Sequence, residues 1–351
     1  RPPRSTLFPY TTLFRSYDLN TYGQAFGTEL EGFRRALQAL FYFTDYVTLD
    51  LSGRRVEITS PIDVAALAGL TSFSNRRGIR NGSLNAVAGP DWTTEDVTSI
   101  ATYSASNNLT LTGVANVANV KVGSLVIGTG VGREVYVTAT NIGAGTVTIS
   151  QPLYAAVGVR SYTFRRFKYM LDFSGFGLMS RFEIEDVEFN NLGTGSGVLL
   201  PMAGSTQRFM SCTFNRPQDR AISSAGLGCQ GMFVDMCQFL SNEQSVPAVD
   251  RTTIAMNVQA NDTKIRNNRI VRFAHFAVMN GTGHLIHANH FFQGDSVTAG
   301  VRRAGLVFTQ TNVSTVVTGN YIDNCFIEWG NEHDSEPQEN GEFSFGGLNI
   351  V

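Results

Sequence analysis

The chain has 351 residues, of which 16% are charged and 35 are glycine, and its formal net charge is −2. Near-neutrality argues against a nucleic-acid partner or an anionic membrane, because both need a clustered positive field. No apolar run reaches the roughly 18 residues that a membrane-spanning helix requires. Low charge with abundant Gly, Asn, Thr and Phe indicates β-structure with many tight turns.

The first 16 residues, RPPRSTLFPYTTLFRS, resemble the translation of a common short-read sequencing adapter, which matches all 16 in order in one reading frame. We therefore set residues 1–16 apart from the fold, and expect them to be disordered, to make no buried contacts and to extend no sheet. We therefore expect that the natural N-terminus is missing and that the C-terminus is truncated as well.

Residues 17–95 are predicted to form an N-terminal helix cap and the first coils of a repeating β-structure. The segment GFRRALQALFYF (Gly32 to Phe43) carries apolar residues at the three- and four-residue spacing of a helix. The segments VTLDLSGRRVEITSPIDV (Val47 to Val64) and RRGIRNGSLNAV (Arg76 to Val87) follow it and are typical of strands.

Residues 96–164 are predicted to be an inserted module. The stretch Leu109 to Leu153 alternates apolar and polar residues, breaks at glycines and lacks helical periodicity, which predicts about five short antiparallel strands. It is similar to small β-barrel modules of phage and prophage structural proteins. A phosphate-binding loop at Gly128 to Gly132 is not expected, because no Lys-Ser/Thr pair and no helix follow it.

Residues 165–351 contain a repeat of six residues: large apolar, two variable, then Val, Cys or Asn, one variable, then Phe or Ile. Successive fourth positions are 25, 25, 31, 21 and 31 residues apart, which fits the coils of a solenoid with loop insertions. Coils about 4.8 Å apart stack like residues over like. The six copies are IEDVEF (184–189), FMSCTF (209–214), VDMCQF (234–239), IRNNRI (265–270), IHANHF (286–291) and VTGNYI (317–322).

The fourth position changes from Val187, Cys212 and Cys237 to Asn268, Asn289 and Asn320. The asparagines are predicted to form an inward ladder between coils, with exposed turn asparagines as the alternative. Cys212 and Cys237 are predicted to stack as small buried side chains. The four cysteines include no Cys-x-x-Cys pair, so we expect no metal site, and no motif indicates a cofactor.

These features resemble the right-handed parallel β-helix of the pectate-lyase superfamily, which includes the glycoside hydrolase family 28-related proteins, many phage tailspikes and the head spikes of gene transfer agents. The helix, the Gly-containing strands after it and the six-residue repeat carry the resemblance, although the acidic run usual before the helix reads FGTELEG here. The fold class expected is an all-β, right-handed parallel β-helix with a capping helix and an inserted antiparallel β-barrel.

Family 28 enzymes carry Asn-Thr-Asp, Asp-Asp, Gly-His-Gly and Arg-Ile-Lys motifs, none of which occurs in this sequence. The second repeat position nevertheless places Glu185 and Asp235 two coils, or about 9.6 Å, apart. This is close to the limit of about 6.5–9.5 Å for an inverting carboxylate pair. Glu185 and Asp235 are thus catalytic candidates, with a solvated surface as the alternative, and Met210 between them does not suit a bound water.

A patch of planar donors and one ring is a candidate for sugar binding, because hydroxyl-rich sugars need hydrogen-bond forks and a stacking face. Ordinary exposed side chains are the alternative. Trp329, in the stretch IEWGNEHDSEP (327–337) that we expect to be a loop, is a further candidate. The patch itself comprises Arg266, His287, Arg269, His290 and Tyr321.

Two functions follow from the resemblance. One is a β-helical spike, virion-associated or extracellular, that binds a bacterial surface polysaccharide and is attached to a phage-like particle, with a homotrimer implied by the tailspikes. The other is a secreted polysaccharide lyase or glycoside hydrolase that acts on an acidic polysaccharide. The missing catalytic motifs and the phage-type module favour the spike.

Overall fold

The computed structural model describes residues 16–42, 47–297, 302–311 and 313–335. Its N-terminal part combines three helices with the first strands, and a helix pair closes one end of the solenoid. The elements are β1 (Ser16–Asp18), α1 (Leu19–Phe26), α2 (Glu29–Leu40), β2 (Val47–Ile58), β3 (Ile62–Asp63), α3 (Val64–Ala68), β4 (Ser72–Phe73) and β5 (Arg77–Ala86).

The predicted helix is α2, which begins at Glu29, three residues before the predicted segment Gly32 to Phe43, and ends at Leu40. The Thr28 hydroxyl accepts a hydrogen bond from the Glu31 amide at 3.1 Å and caps the first turn. Phe33, Leu37 and Leu40 are fully buried, so the helical spacing did identify the face that covers the coils.

The inserted module is an antiparallel barrel whose strands β6 and β11 pair over nine residues and form its stem. The edge strands β8 and β9 meet through hydrogen bonds of 2.8 Å from Val126 to Val135 and from Val137 to Ser124, so the sheet closes. Its strands are β6 (Glu95–Tyr103), β7 (Thr110–Thr112), β8 (Leu125–Ile127), β9 (Val137–Asn141), β10 (Thr146–Ile149) and β11 (Gly158–Arg166). They extend slightly beyond the predicted bounds of 96–164.

The remaining strands belong to the coils, and most coils contain three of them. They are β12 (Tyr169–Asp172), β13 (Leu178–Met179), β14 (Phe182–Asn190), β15 (Ser196–Leu199), β16 (Arg208–Met210), β17 (Thr213–Asn215), β18 (Arg220–Ser223), β19 (Phe233–Asp235), β20 (Gln238–Leu240), β21 (Ile254–Val258), β22 (Lys264–Arg266), β23 (Arg269–Val271), β24 (His275–Met279), β25 (Leu285–His287), β26 (His290–Phe292), β27 (Ala304–Phe308), β28 (Val316–Thr318), β29 (Tyr321–Asp323) and β30 (Phe326–Trp329). Short 3-10 turns lie at Pro90–Trp92, Ala105–Asn107, Val117–Asn119, Leu227–Cys229 and Ala248–Asp250.

Two parallel sheets run along the solenoid. In the first, the long strand β14 pairs with β5 on one side and, on the other, with two columns of short strands, β16-β19-β22-β25-β28 and β17-β20-β23-β26-β29. The second sheet has one strand per coil, in the order β3-β12-β15-β18-β21-β24-β27-β30. This arrangement confirms the predicted parallel β-helix with its helical cap and inserted antiparallel module.

A residue with positive φ occupies the third position of every copy of the six-residue repeat. In β5 and β14 it lies within the long strand, and in the later coils it bends the chain between the two short strands, so that these lie on adjoining faces. A seventh copy of the repeat, IRNGSL (79–84), pairs in register with the first one identified from sequence. The bend residues are Asn81, Asp186, Ser211, Met236, Asn267, Ala288 and Gly319, with φ between 52° and 63°.

The first and sixth repeat positions build the core of the solenoid. Phe214 stacks on Phe189 with ring centroids 4.7 Å apart and on Phe239 at 5.0 Å, with the ring planes nearly parallel. Gly82, at the fourth position of the seventh copy, has no room for a side chain, because an added Cβ would lie 2.4 Å from the Leu51 Cβ. Like residues therefore stack on like along the axis, as the repeat predicts.

The stretch at the start of the chain is almost entirely outside the described residues. Its last residue, Ser16, is described, and it pairs with Thr48 in a parallel bridge between β1 and β2. The expectation that no residue of 1–16 extends a sheet is therefore wrong at Ser16, because the first strand of the cap begins there.

Candidate functional site

The residues predicted to bind sugar lie on the first sheet, on its last three coils. In the second column, Arg269 pairs with His290 and His290 with Tyr321. In the first column, Arg266 pairs with His287. All are exposed except Arg266, which is half-buried. We call these five residues the basic face.

A shallow groove of about 550 Å³ runs along the second column of the basic face. Arg269, His290 and Tyr321 line it together with Phe292 and Asp323. The His290 and Tyr321 rings meet edge to face at a centroid distance of 4.8 Å. The groove thus combines a guanidinium, an imidazole, two aromatic rings and one carboxylate on a rigid surface.

The exposed residues of the first sheet change in charge along the solenoid. At the second and fifth repeat positions, Glu185 and Glu188 share one coil, and Arg266 and Arg269 share a coil three further on. Because strands of adjacent coils are about 4.8 Å apart, the two pairs lie about 15 Å apart. Arg80 precedes Glu185 in the same column, so the charges alternate along the sheet.

The two catalytic candidates occupy the same column, with Met210 between them, as their register predicts. Glu185 is exposed. Asp235 is buried, and the expectation that it stands open on the surface is wrong. Its carboxylate accepts hydrogen bonds from the Arg266 Nε at 2.8 Å and from the Asn267 Nδ2 at 2.9 Å.

The environment of Asp235 explains this burial. The Arg266 guanidinium lies over the Phe233 ring, 4.7 Å from its centroid, and thereby covers the carboxylate that it binds. A carboxylate held in this way orients Arg266 on the basic face. The pair with Glu185 does not provide the open, water-holding gap that an inverting reaction needs.

The three asparagines of the fourth position are hydrogen-bonded in series. The Asn268 Nδ2 donates to the Asn289 Oδ1 at 2.9 Å, and the Asn289 Nδ2 donates to the Asn320 Oδ1 at 2.8 Å. Each Nδ2 also donates to a backbone carbonyl of a neighbouring coil at 2.9–3.0 Å. Asn268 and Asn289 are buried and Asn320 is half-buried.

The ladder continues through the cysteines. The Cys237 amide donates to the Asn268 Oδ1 at 2.8 Å, and the Cys212 amide donates to the Cys237 Sγ at 3.4 Å. Both thiols are free and buried. Burial raises the pKa of the Cys237 thiol well above its ordinary value, so it stays protonated at neutral pH.

Trp329 does not join the basic face. It ends β30, a strand of the second sheet, so the expectation of a loop over the whole of 327–337 is wrong for its first three residues. The chain leaves regular structure after Trp329. Residues 336 and 337 of that stretch lie outside the described residues.

A buried ion pair between the barrel and the coils escaped the sequence prediction. The Glu134 carboxylate accepts from the Arg220 Nη2 at 2.7 Å and the Arg220 Nε at 3.1 Å, and from the Tyr136 hydroxyl at 2.6 Å. Burial is the largest single influence and lowers the pKa of Arg220, but the charge and hydrogen bond of Glu134 together with Tyr136 and Asp219 outweigh it, so the pKa is raised. Two adjacent charged residues, Arg133 and Glu134, inside an otherwise apolar stretch could have indicated this ion pair from the sequence.

The barrel also contacts the last coil. The Asp334 carboxylate accepts from the amides of Gly130 and Gly132, each at 3.0 Å. The Arg133 Nη1 donates to both oxygens of Glu328, at 2.8 and 2.9 Å. These bonds tie the insertion to a coil about 200 residues later in the sequence.

Within the described ranges, no three His, Cys, Asp or Glu side chains lie close enough together to hold a metal ion. None of the described helices has the length and apolar character of a membrane span.

No family model and no curated protein sequence matches the chain. Among solved structures, the chain is similar to the tailspike protein gp49 from Pseudomonas phage LKA1, at 13% sequence identity and a TM-score of 0.22. The match covers 86% of this chain, which spans 60% of the length of that tailspike. The pectate-lyase and family 28 resemblance stays a prediction.

Proposed function

We propose that this chain is a β-helical spike of a phage-like particle, and that its basic face binds an acidic bacterial surface polysaccharide. The observation that carries the proposal is the in-register column of Arg269, His290 and Tyr321, which lines a groove of about 550 Å³. Each coil adds one side chain of this column at the spacing of parallel strands, about 4.8 Å.

The composition of the groove supports a sugar ligand. Sugars present many hydroxyl groups together with apolar ring faces, and they are bound by planar hydrogen-bond donors beside aromatic rings. Phe292 and Tyr321 supply the rings, and Arg269 and His290 supply the donors. A guanidinium also binds a carboxylate through two parallel hydrogen bonds, which favours a sugar acid over a neutral sugar.

The rigidity of the surface supports a long ligand. The asparagine ladder and the stacked core hold the coils beneath the face, so binding orders few protein side chains. Asp235 likewise holds Arg266 in place before any ligand arrives. A linear polysaccharide that follows the solenoid axis meets several coils at once, and its affinity then grows with chain length.

Affinity electrophoresis in gels that contain homogalacturonan, with neutral dextran as the comparison, tests this proposal. We expect homogalacturonan to retard the protein, and the double variant Arg269→Gln/His290→Gln to lose at least tenfold in affinity, which corresponds to about 1.4 kcal/mol. The matched control is Arg55→Gln on the first sheet, where the side chain is exposed and 66% accessible. Equal retardation of the double variant and the wild type contradicts the proposal.

The enzymatic alternative is tested in the same samples by following new reducing ends and unsaturated products. We expect binding without cleavage, because the Asp235 carboxylate is buried against Arg266 and Asn267. Cleavage that is lost in Glu185→Gln makes the chain an enzyme with Glu185 in its active site. Cleavage that survives in this variant places the active site elsewhere on the molecule.

Virion association and a homotrimeric assembly belong to the same proposal, and the resemblance to tailspikes is their support. Sedimentation equilibrium of the purified chain tests the assembly, with a threefold multiple of the 38.3 kDa chain mass expected. A monomer at all concentrations contradicts the trimer and leaves the basic face unaffected, since the groove is lined by one chain.

A further inference from the structure

A cleft of about 800 Å³ separates the barrel from the last coils. Its volume is within the range of about 300–1,000 Å³ that small-ligand pockets occupy. The barrel contributes Tyr154 and Gln151, and the coils contribute Asn280, Gln310, Trp329 and Glu332. The cleft lies beside the second sheet and shares no lining residue with the groove of the basic face.

Trp329 is the most exposed aromatic side chain in this cleft, with 67% of its surface accessible within the described structure. Its indole Nε1 donates a hydrogen bond of 2.7 Å to the Gln310 carbonyl, which restricts the orientation of the ring. Tyr154, on the barrel side, is 40% accessible. An indole held by its polar edge offers its faces to a ligand at low cost in side-chain entropy.

The two walls of the cleft are fastened to each other. Asp334 binds the amides of Gly130 and Gly132, and the Asn331 Oδ1 accepts from the Arg133 amide at 2.7 Å. The contact is close at Gly132, where an added Cβ would lie 2.5 Å from the Asn331 Nδ2. The shape of the cleft is therefore set before binding, as in most small-ligand sites.

The charge of the cleft is opposite to that of the basic face. Of the side chains that line it in the described ranges, Glu332 is the one carboxylate, and the other polar side chains are amides and hydroxyls. A carboxylated sugar is repelled by Glu332 and finds no cation to bind. Amides and hydroxyls suit the neutral hydroxyl groups of an uncharged sugar.

We propose that this junction cleft is a second saccharide site, which stacks an uncharged sugar residue on Trp329 with Tyr154 on the opposite wall. The proposal rests on the proposed function for the class of ligand, a saccharide, and it uses different residues. A surface polysaccharide with alternating acidic and neutral residues would then meet two sites of different selectivity on one spike.

The test uses Trp329 as its own reporter. The chain has two tryptophans, and the other, Trp92, is buried. In the full-length Trp92→Phe variant, emission and acrylamide quenching report on Trp329 alone. The probes are neutral oligosaccharides, namely isomalto-, cello- and chito-hexaose, with tri-galacturonate as the charged comparison.

We expect at least one neutral probe to reduce the acrylamide quenching of Trp329 by about twofold or more, and tri-galacturonate not to do so. Adding Tyr154→Ala to Trp92→Phe is expected to weaken the affinity for that probe about tenfold. The matched control is Ile142→Ala, at a barrel residue that is 64% exposed and does not line the cleft. Circular dichroism checks that each variant is folded.

No protection of Trp329 by any neutral probe at millimolar concentration overturns the proposal, and so does equal protection by tri-galacturonate. The outcome is separable from that of the proposed function. Tyr154→Ala is expected to retain homogalacturonan binding, and Arg269→Gln is expected to retain the response of Trp329. Loss of the Trp329 response in Arg269→Gln would also overturn an independent cleft.

Discussion

The asparagine ladder of the coils and the bonds that join the barrel to the coils are both buried and polar, yet they are encoded differently. The second set, which we call the network, comprises Glu134 with Arg220, Arg133 with Glu328, and Asp334 with the Gly130 and Gly132 amides. Adjacent rungs of the ladder are 21 and 31 residues apart and occupy one position of a repeat. Partners in the network are 86 to 204 residues apart, and each pair occurs once. Repetition lets every rung use the same bond, whereas the network depends on unique partners.

The largest expected effect comes from the network. Glu134→Gln leaves Arg220 buried without a counter-charge, and removing one partner of such a pair costs about 3–5 kcal/mol of unfolding free energy. Urea unfolding followed by circular dichroism measures it. The matched control is Glu57→Gln, which breaks the exposed pair with Arg55 and is expected to cost less than about 1 kcal/mol.

The double variant Glu134→Gln/Arg220→Met sharpens this test. Removing both charges is expected to recover much of the loss, because the cost of the single variant is the stranded charge rather than the missing contact. If Glu134→Gln is as stable as Glu57→Gln, then water reaches Arg220, which contradicts its burial.

The next effect comes from the ladder. Asn289→Ala removes one of the two acceptors of the Asn268 Nδ2, the acceptor of the Asn268 amide and the donor to the Ile265 carbonyl, at a cost of about 1–3 kcal/mol. Asn320→Ala, at the half-buried end of the ladder, is expected to cost less, since water replaces the lost bonds. Equal losses in the two variants, measured by urea unfolding, would argue against a ladder whose strength depends on burial.

Acidification is expected to lower the free energy of unfolding through His275, a buried histidine that is affected by the charge of the network residue Arg133. Burial, followed by the charge of Arg133, lowers the pKa of this histidine well below its ordinary value of 6.5. Below pH 6.5 the unfolded state therefore binds the proton and the folded state does not. Stability is retained above pH 6.5 and falls as the pH falls, by up to about 1.4 kcal/mol per unit.

Urea unfolding between pH 7.5 and 5.5 measures this slope. His284, whose pKa is also lowered by burial, acts in the same direction. His275→Gln is expected to flatten the slope, and His290→Gln, at an exposed position, is the control that is expected to leave it unchanged. A slope that is the same in all three proteins contradicts the role of His275.

The smallest effect is a stabilisation of the coils. Ala288 has φ of 54° at the bend of its repeat, and this conformation costs an alanine about 1–2 kcal/mol. Asparagine tolerates it, so Ala288→Asn is expected to stabilise by up to about 1 kcal/mol in thermal unfolding. The control Ala139→Asn, at an exposed strand residue of the barrel, is expected to be neutral or slightly destabilising. A gain at Ala139 equal to that at Ala288 would contradict the bend as its cause.

The repeating features of the coils could be predicted from the sequence, whereas the network between the barrel and the coils could not. The repeat identified the core columns, the ladder positions and the column of the basic face, because stacked coils place equal repeat positions next to each other. It missed the left-handed bend at the third position, whose residues range from Gly319 to Met236 and so look variable. Asparagine and aspartate tolerate positive φ, so Asn81, Asp186 and Asn267 at the same position could have indicated the bend.

Asp235 shows that the register of a repeat does not by itself predict whether a side chain is exposed. Its repeat position predicts an outward side chain, and the register is as expected. Its burial depends on Arg266 of the next coil and on the Phe233 ring beneath that guanidinium. Exposure is a property of the neighbours that fold over a residue, and a pattern within one coil does not contain them.

The sequence by itself determined the solenoid, its helical cap, the position of the antiparallel insertion and the register of the exposed columns, because all of these depend on local periodicity. Only the tertiary structure decided where the barrel attaches, that Glu134 and Arg220 pair, that Asp235 is covered and that Trp329 lines a cleft with Tyr154. Those contacts join unique residues far apart in the chain, and no repeat encodes a contact that occurs once.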